Sequence, residues 1–205
     1  MRRVWIVAGP ALACGCLSAQ TPSSVKPWSF YANTYGYIAP HNEFYASPTL
    51  MADHKSLHLE ARYNYENQRT GSVWAGYNFH AGDKLILDFT PMVGGVFGRT
   101  TGFAPGYQGT LTFRKAELYS QGEYVFDTGD RSGSFFYTWS ELTYSPIEWM
   151  RAGFVLERTK AYKSDFESQP GCLIGFNYTR YDFSAYVFNP GRTDPTVVLA
   201  VGVRF

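Results

Sequence analysis

From residue 28 onward the chain alternates apolar and polar positions with a period of two, run after run, and shows no sustained helical period. In 55–66, Leu57, Leu59, Ala61, Tyr63 and Tyr65 share one face of an extended chain, and His58, Glu60, Arg62, Asn64 and Glu66 share the other. In 71–80, Val73, Ala75, Tyr77 and Phe79 oppose Ser72, Trp74, Gly76, Asn78 and His80. In 84–97, Leu85, Leu87, Phe89 and Val93 oppose Asp88 and Thr90; in 105–114, Leu111 and Phe113 oppose Gln108, Thr110, Thr112 and Arg114. In 116–127, Leu118, Tyr124 and Phe126 oppose Glu117, Tyr119, Gln121 and Glu123. The pattern predicts about twelve strands, within about two. They run over 28–38, 43–51, 55–66, 71–80, 84–97, 105–114, 116–127, 133–144, 148–159, 171–179, 181–189 and 194–205.

The connections alternate as well. Tight ones (Asp53-His54-Lys55, Ala81-Gly82-Asp83, Lys115, Ser145-Pro146-Ile147, Thr179-Arg180) interleave with longer, more polar ones at 39–42, 67–70, 99–105, 128–132, 160–170 and 190–195. Which face points outward decides between a soluble sheet and a membrane barrel. A soluble barrel coats its exterior with charge. In 133–144, Phe135, Tyr137, Trp139 and Glu141 stand against Phe136, Thr138, Ser140, Leu142 and Tyr144; in 171–179, Cys172, Ile174, Phe176 and Tyr178 stand against Leu173, Gly175 and Asn177. Neither face of either run makes an aqueous surface, whereas lipid outside and a mixed lumen inside accommodate both. In lipid, strands can satisfy their backbone hydrogen bonds only in a closed barrel. The expected fold is therefore all-β, an antiparallel up-and-down transmembrane β-barrel over 28–205, with short turns and both termini on one side. Trp28, Trp149, Phe205 and tyrosines near strand ends are expected at the two membrane interfaces, where a half-wet ring is at home.

The last run, Pro195 to Phe205, sets Val197, Leu199, Val201, Val203 and Phe205 against Thr196, Val198, Ala200, Gly202 and Arg204. That ending resembles the final strand of Gram-negative outer-membrane β-barrels, small porin-like barrels among them. The resemblance implies a bacterial outer-membrane location, outer-membrane lipid as neighbour, and recognition by barrel-assembly machinery, with Val201, Val203 and Phe205 as the assembly signal.

At the other end, Arg2 and Arg3 precede the apolar stretch Val4 to Leu17, and small residues follow. This reads as a secretory signal peptide over 1–19, cleaved after Ala19, with a short lead over 20–27. The stretch falls short of the roughly 17–25 residues of a spanning helix. Cys14 and Cys16 leave open a lipoprotein signal, which Ala11-Leu12-Ala13 fits poorly. Under the first reading only Cys172 remains, so no internal disulfide staples the fold. A net charge of +1 gives no argument for nucleic acid. No metal-ligand spacing stands out, and Gly94-Gly95 lacks the flanking helix of a phosphate loop, so no cofactor is expected and the glycines read as bend points.

Turning the charged faces inward gives a lumen lining of His58, Glu60, Arg62, Asn64, Asp88, Arg114, Glu117, Glu123, Glu141, Arg151 and Glu157, joined by Tyr119 and Gln121. Charges of both signs would pair across strands, because burying them unpaired is costly. A lumen of this strand number is wider than an eight-stranded one that side chains alone fill. Two readings follow. The favoured one is a passive channel for small solutes, selected by radius and lining charge, and the excess of carboxylates over arginines in this set leans toward cations. The other is a structural or surface-interaction barrel whose lumen is closed. A lipid-modifying enzyme comes third. Ser56, His58 and Glu60 lie in a row and are the residue types a nucleophile–base pair needs, but strand neighbours of this kind are common, and no catalytic residue is assigned. His41 is expected in an external loop, and 160–170 as a solvated one.

Overall fold

The computed structural model describes residues 27–38, 44–161, 167–192 and 195–205. The signal segment expected over 1–19 lies outside them, with Cys14 and Cys16, as do 20–26 of the lead, His41, and Lys163 and Asp165 of the 160–170 loop. The alternation resolves into twelve strands. They are β1 (Ser29–Ile38), β2 (Phe44–His54), β3 (Leu57–Tyr63), β4 (Thr70–Tyr77, resumed after Asn78 as Phe79–Ala81), β5 (Leu85–Gly98) and β6 (Gly102–Phe113). The second half comprises β7 (Ala116–Asp127), β8 (Phe135–Ile147), β9 (Met150–Ala161), β10 (Glu167–Tyr178), β11 (Tyr181–Phe188) and β12 (Thr196–Arg204).

Every pair of sequence neighbours is antiparallel, and β5 accepts both pieces of β4. The sheet closes where β12 pairs with β1, in register from Tyr31↔Arg204 to Ile38↔Val197. Reciprocal backbone bonds between Phe30 and Phe205, 3.0 and 3.1 Å, finish that junction. A closed antiparallel up-and-down barrel leaves no strand edge, and in hydrocarbon each unpaired backbone group would cost several kcal/mol.

Two-residue turns at 55–56, 114–115, 148–149 and 179–180, with a three-residue turn at 82–84, lie at one rim, together with the start of β1 and the end of β12. The other rim carries the longer connections, 99–101 being the exception in length. Lys55, Arg114 and Thr179 open their turns at φ of 54°, 54° and 52°, the left-handed conformation that two-residue hairpins require. At the opposite rim Asn64 (φ 56°) ends β3. Its amide donates to the Ala46 carbonyl (3.0 Å) and accepts from the Arg69 N–H (2.8 Å). In the β7–β8 loop the Ser132 hydroxyl and N–H both donate to exposed Asp130 and hold its carboxyl below the usual range.

The exterior is apolar along its length. Val73, Val93, Leu142, Phe154 and Leu199 all point outward with more than half of their surface exposed, which an aqueous face of this extent would not tolerate. Aromatics gather at both rims. At the short-turn rim Trp28 stacks on Phe30 and His54, Phe30 on Phe205, and Trp149 on Phe176. At the other rim Phe44, Tyr63 and Phe97 stand exposed, and Phe103 stacks on Phe126 with centroids 4.7 Å apart. These are the two girdles of a spanning barrel.

Candidate functional site

The interior has two unlike halves. Across β2–β7 the inward positions form a polar network centred on Arg62. Its Nε and Nη2 donate to the two oxygens of Glu60 (2.8 and 3.2 Å), and Nη1 donates to Glu123 Oε2 (2.7 Å). The same Nη1 lies 3.8 Å from Glu66 Oε1. The guanidinium is sandwiched between the Tyr65 and Trp74 rings, 4.4 and 4.5 Å from their centroids, an arrangement that favours a cation. Trp74 can lie flat on β5 because Gly94 faces it: a Cβ there would fall 2.4 Å from the indole. Gly94 is thus the floor under a ring rather than a bend point, while a Cβ on Gly95 would meet nothing within 4 Å.

From Glu60 the network runs toward the short-turn rim. Gln108 donates to Glu60 Oε2 (2.8 Å), and His58, fully buried, sits between Glu60 (3.3 Å) and Asp53 (2.8 Å). Asn78 donates to Asp53 (2.8 Å) and Thr90 to Asn78 (2.6 Å). In the other direction it crosses the lumen: Gln121 on β7 donates to the Tyr65 hydroxyl, and the Tyr65 ring meets Tyr137 of β8 edge-on at 5.6 Å. Burying ions costs several kcal/mol each, so removing one partner of such a network is strongly destabilising.

The half built by β8–β12 and β1 is mostly dry. Tyr35, Trp139, Val155, Leu173, Tyr186, Phe188 and Val198 form one buried cluster, in which Trp139 stands edge-on to Tyr35, Tyr186 and Phe188 at 5.8, 5.2 and 5.2 Å. Its polar tips converge on Glu141, which accepts from Trp139 Nε1 (2.8 Å), the Tyr186 hydroxyl (3.0 Å) and Arg151 Nη1 (2.7 Å). Arg151 also donates to Ser184 (2.8 Å). At the rim below, Arg204 pairs with Asp182 at 2.9 Å.

A cavity of about 500 Å³ enters at the short-turn rim, lined by Tyr31, Met51, Asp53, Asp88, Thr90, Gln108, Tyr119 and Arg204 among others. Further in, several buried oxygens have no hydrogen-bond partner among the described residues: Asn33 Oδ1, Ser47 Oγ, Glu66 Oε2 and Glu123 Oε1. Asn33 and Ser47 share the inward face of β1 and β2.

Of the residues expected in the lumen, His58, Glu60, Arg62, Glu123, Glu141 and Arg151 are buried on inward faces. Asp88 is inward at the vestibule, bonded to His80 (2.8 Å). Glu117 and Glu157 are half-buried on the strand faces that also carry Glu123 and Arg151 respectively. Asn64 and Arg114 stand elsewhere: both occupy left-handed turn positions, where the chain leaves the sheet and alternation no longer assigns a face. The same break at Asn64 swings Tyr65, assigned by alternation to the lipid face, into the lumen. Asp53, Glu66, Asp182 and Arg204 were missing from the expected lining. Glu66 shares the polar face of 55–66 with His58, and Asp182 and Arg204 share parity with Tyr186 and Val198 on their own strands, which was the available signal. Asp53, which the sequence places in a turn, continues the inward face of Met51 on β2 and pairs with His58 across strands. Ser56, His58 and Glu60 do not assemble a nucleophile–base pair, since the ring nitrogens of His58 face Asp53 and Glu60.

A closed twelve-stranded barrel with an apolar exterior and an ionic interior has porin-like architecture. Among solved structures it is similar to the KdgM porin, with a TM-score of 0.61 at 12% identity over 85% of this chain and 99% of the porin. The KdgM porin in complex with disordered oligogalacturonate superposes with a TM-score of 0.58 at 12% identity, over 86% and 99%. At that identity the likeness is one of fold. No protein-family model and no curated protein matches the sequence.

Proposed function

We propose that the protein is an outer-membrane porin-like channel that passes small polar solutes through a narrow, charged constriction. The observation that carries this is the vestibule of about 500 Å³ at the short-turn rim, whose lining includes Asp53 and Gln108, members of the ionic network that also holds the unpaired oxygens of Glu66 and Glu123. Unpaired buried polar atoms are positions for water or a passing solute. The likeness to a porin fold supports the same conclusion. Passage needs no catalytic residue, and the lumen would select by radius and charge. The short-turn rim would face the periplasm, after export directed by residues 1–19, with Val201, Val203 and Phe205 read by the assembly machinery.

The dry aromatic cluster favours a second reading, a structural barrel with a closed lumen, because Tyr186, Phe188 and Val198 leave almost no accessible surface. Planar-bilayer recording separates the two. Purified protein should give discrete small conductance steps in potassium chloride. A silent membrane at high protein density, with the folded barrel verified by heat-modifiable gel migration, would establish the closed barrel instead.

A further inference from the structure

The unpaired oxygens beside Arg62 carry chemical information of their own. Three carboxylates, Glu60, Glu66 and Glu123, surround one guanidinium. Glu60 is fully engaged by Arg62, Gln108 and His58. Glu123 and Glu66 approach the same nitrogen, Nη1, each through one oxygen, and each keeps its second oxygen without a partner. Both side chains are more than nine-tenths buried, at 3% and 0% exposed. A buried carboxylate oxygen with no donor costs free energy until one arrives. The imbalance extends along the lumen: among the described residues the buried carboxylates are Glu60, Glu66, Glu123, Glu141 and Asp182, against the buried guanidiniums of Arg62 and Arg151.

We propose that Glu66 Oε2 and Glu123 Oε1 form a recognition site for small cations in the lumen, and that this site makes the channel cation-selective. The ligand class is a monovalent inorganic cation or the ammonium group of a small amine, either of which supplies the missing positive partner. A polyanion approaching these two carboxylates would be repelled. The inference rests on the channel reading above. It assigns to the lumen a selectivity that barrel architecture alone does not carry, because selectivity belongs to lining charge rather than to strand number.

The test is the reversal potential in a potassium chloride gradient across a planar bilayer, for the full chain and for Glu66→Gln, Glu123→Gln and the double variant. These changes keep the side-chain shape, replace one acceptor oxygen by an amide donor and remove the charge. The wild-type channel is expected to favour potassium over chloride. Each variant should lower that permeability ratio by roughly fivefold, the weight of one charge about 4 Å away in a water-like dielectric, and the double variant should approach no preference. Channels with normal conductance but chloride selectivity, or a ratio unmoved in the double variant, overturn the cation site and leave the channel standing. A silent bilayer overturns the channel and the site together. Heat-modifiable migration of each variant checks that the barrel has formed.

Discussion

The two halves of the interior fill the same kind of space in opposite ways. Around Arg62, on β2–β7, ions whose charges answer one another across strands sit beside a buried apolar cluster of Trp74, Met92, Val96, Ala104 and Val125, and the ionic fit is incomplete at Glu66 and Glu123. Around Trp139, on β8–β12 and β1, it is taken by aromatic rings packed edge to face, and their polar tips are collected by Glu141. A network of ions is conditional, because its stability depends on every partner being present. A packed aromatic cluster is graded and loses roughly what each removed group contributed. A barrel that has to stay folded and still admit a solute would keep its passage beside the first half and its rigidity in the second.

Arg62→Ala gives the largest expected effect. It strands Glu60, Glu66 and Glu123 together and should destabilise the barrel by about 5 kcal/mol, the upper end for breaking a buried pair. Urea unfolding in lipid vesicles, followed by tryptophan fluorescence, would measure it. Much of that loss should return when Glu60→Gln, Glu66→Gln and Glu123→Gln are added to Arg62→Met, because none of the three carboxylates around that position is then left charged; a quadruple variant as unstable as Arg62→Ala would break the contrast. Trp139→Ala comes next, at about 3–4 kcal/mol by the same assay, and no partner substitution should recover it. Tyr186→Phe is the smallest. It removes one donor from Glu141 while leaving the ring packed, and should cost about 1–2 kcal/mol with conductance unchanged.

These halves were not equally legible in the chain. The strands were, because lipid on one side and a mixed interior on the other impose alternation on every crossing segment, and the faces expected for 71–80, 84–97, 116–127 and 195–205 hold throughout. The failure at β3 is instructive. Alternation was carried through Asn64 to Tyr65, but one left-handed residue resets the count, and Asn is among the few residues that enter that region readily. Arg114 failed similarly, as a long charged side chain that looked like lumen and serves a hairpin. The ionic half could be listed from parity because charge marks an inward face. The aromatic half could not, since Phe135, Tyr137 and Trp139 have no polar opposite that names one face as the interior. Which oxygens remain unpaired depends on rotamers and cross-lumen distances, and period-two spacing carries neither.

The junction of β1 with β12 has a kinetic consequence. Eleven of the pairings join strands that follow one another in the chain and can form as local hairpins. The last one brings Phe30 to Phe205 and has to wait until nearly the whole chain has been made and ordered. Loop-closure entropy makes such a distant contact the slow event, so one step should set the pace of folding. Until it occurs the sheet is an open ribbon with two sticky margins, and any strand of another copy could occupy them. The time spent in that half-finished state, rather than the stability of the finished cylinder, would then govern how much of the protein survives its own synthesis.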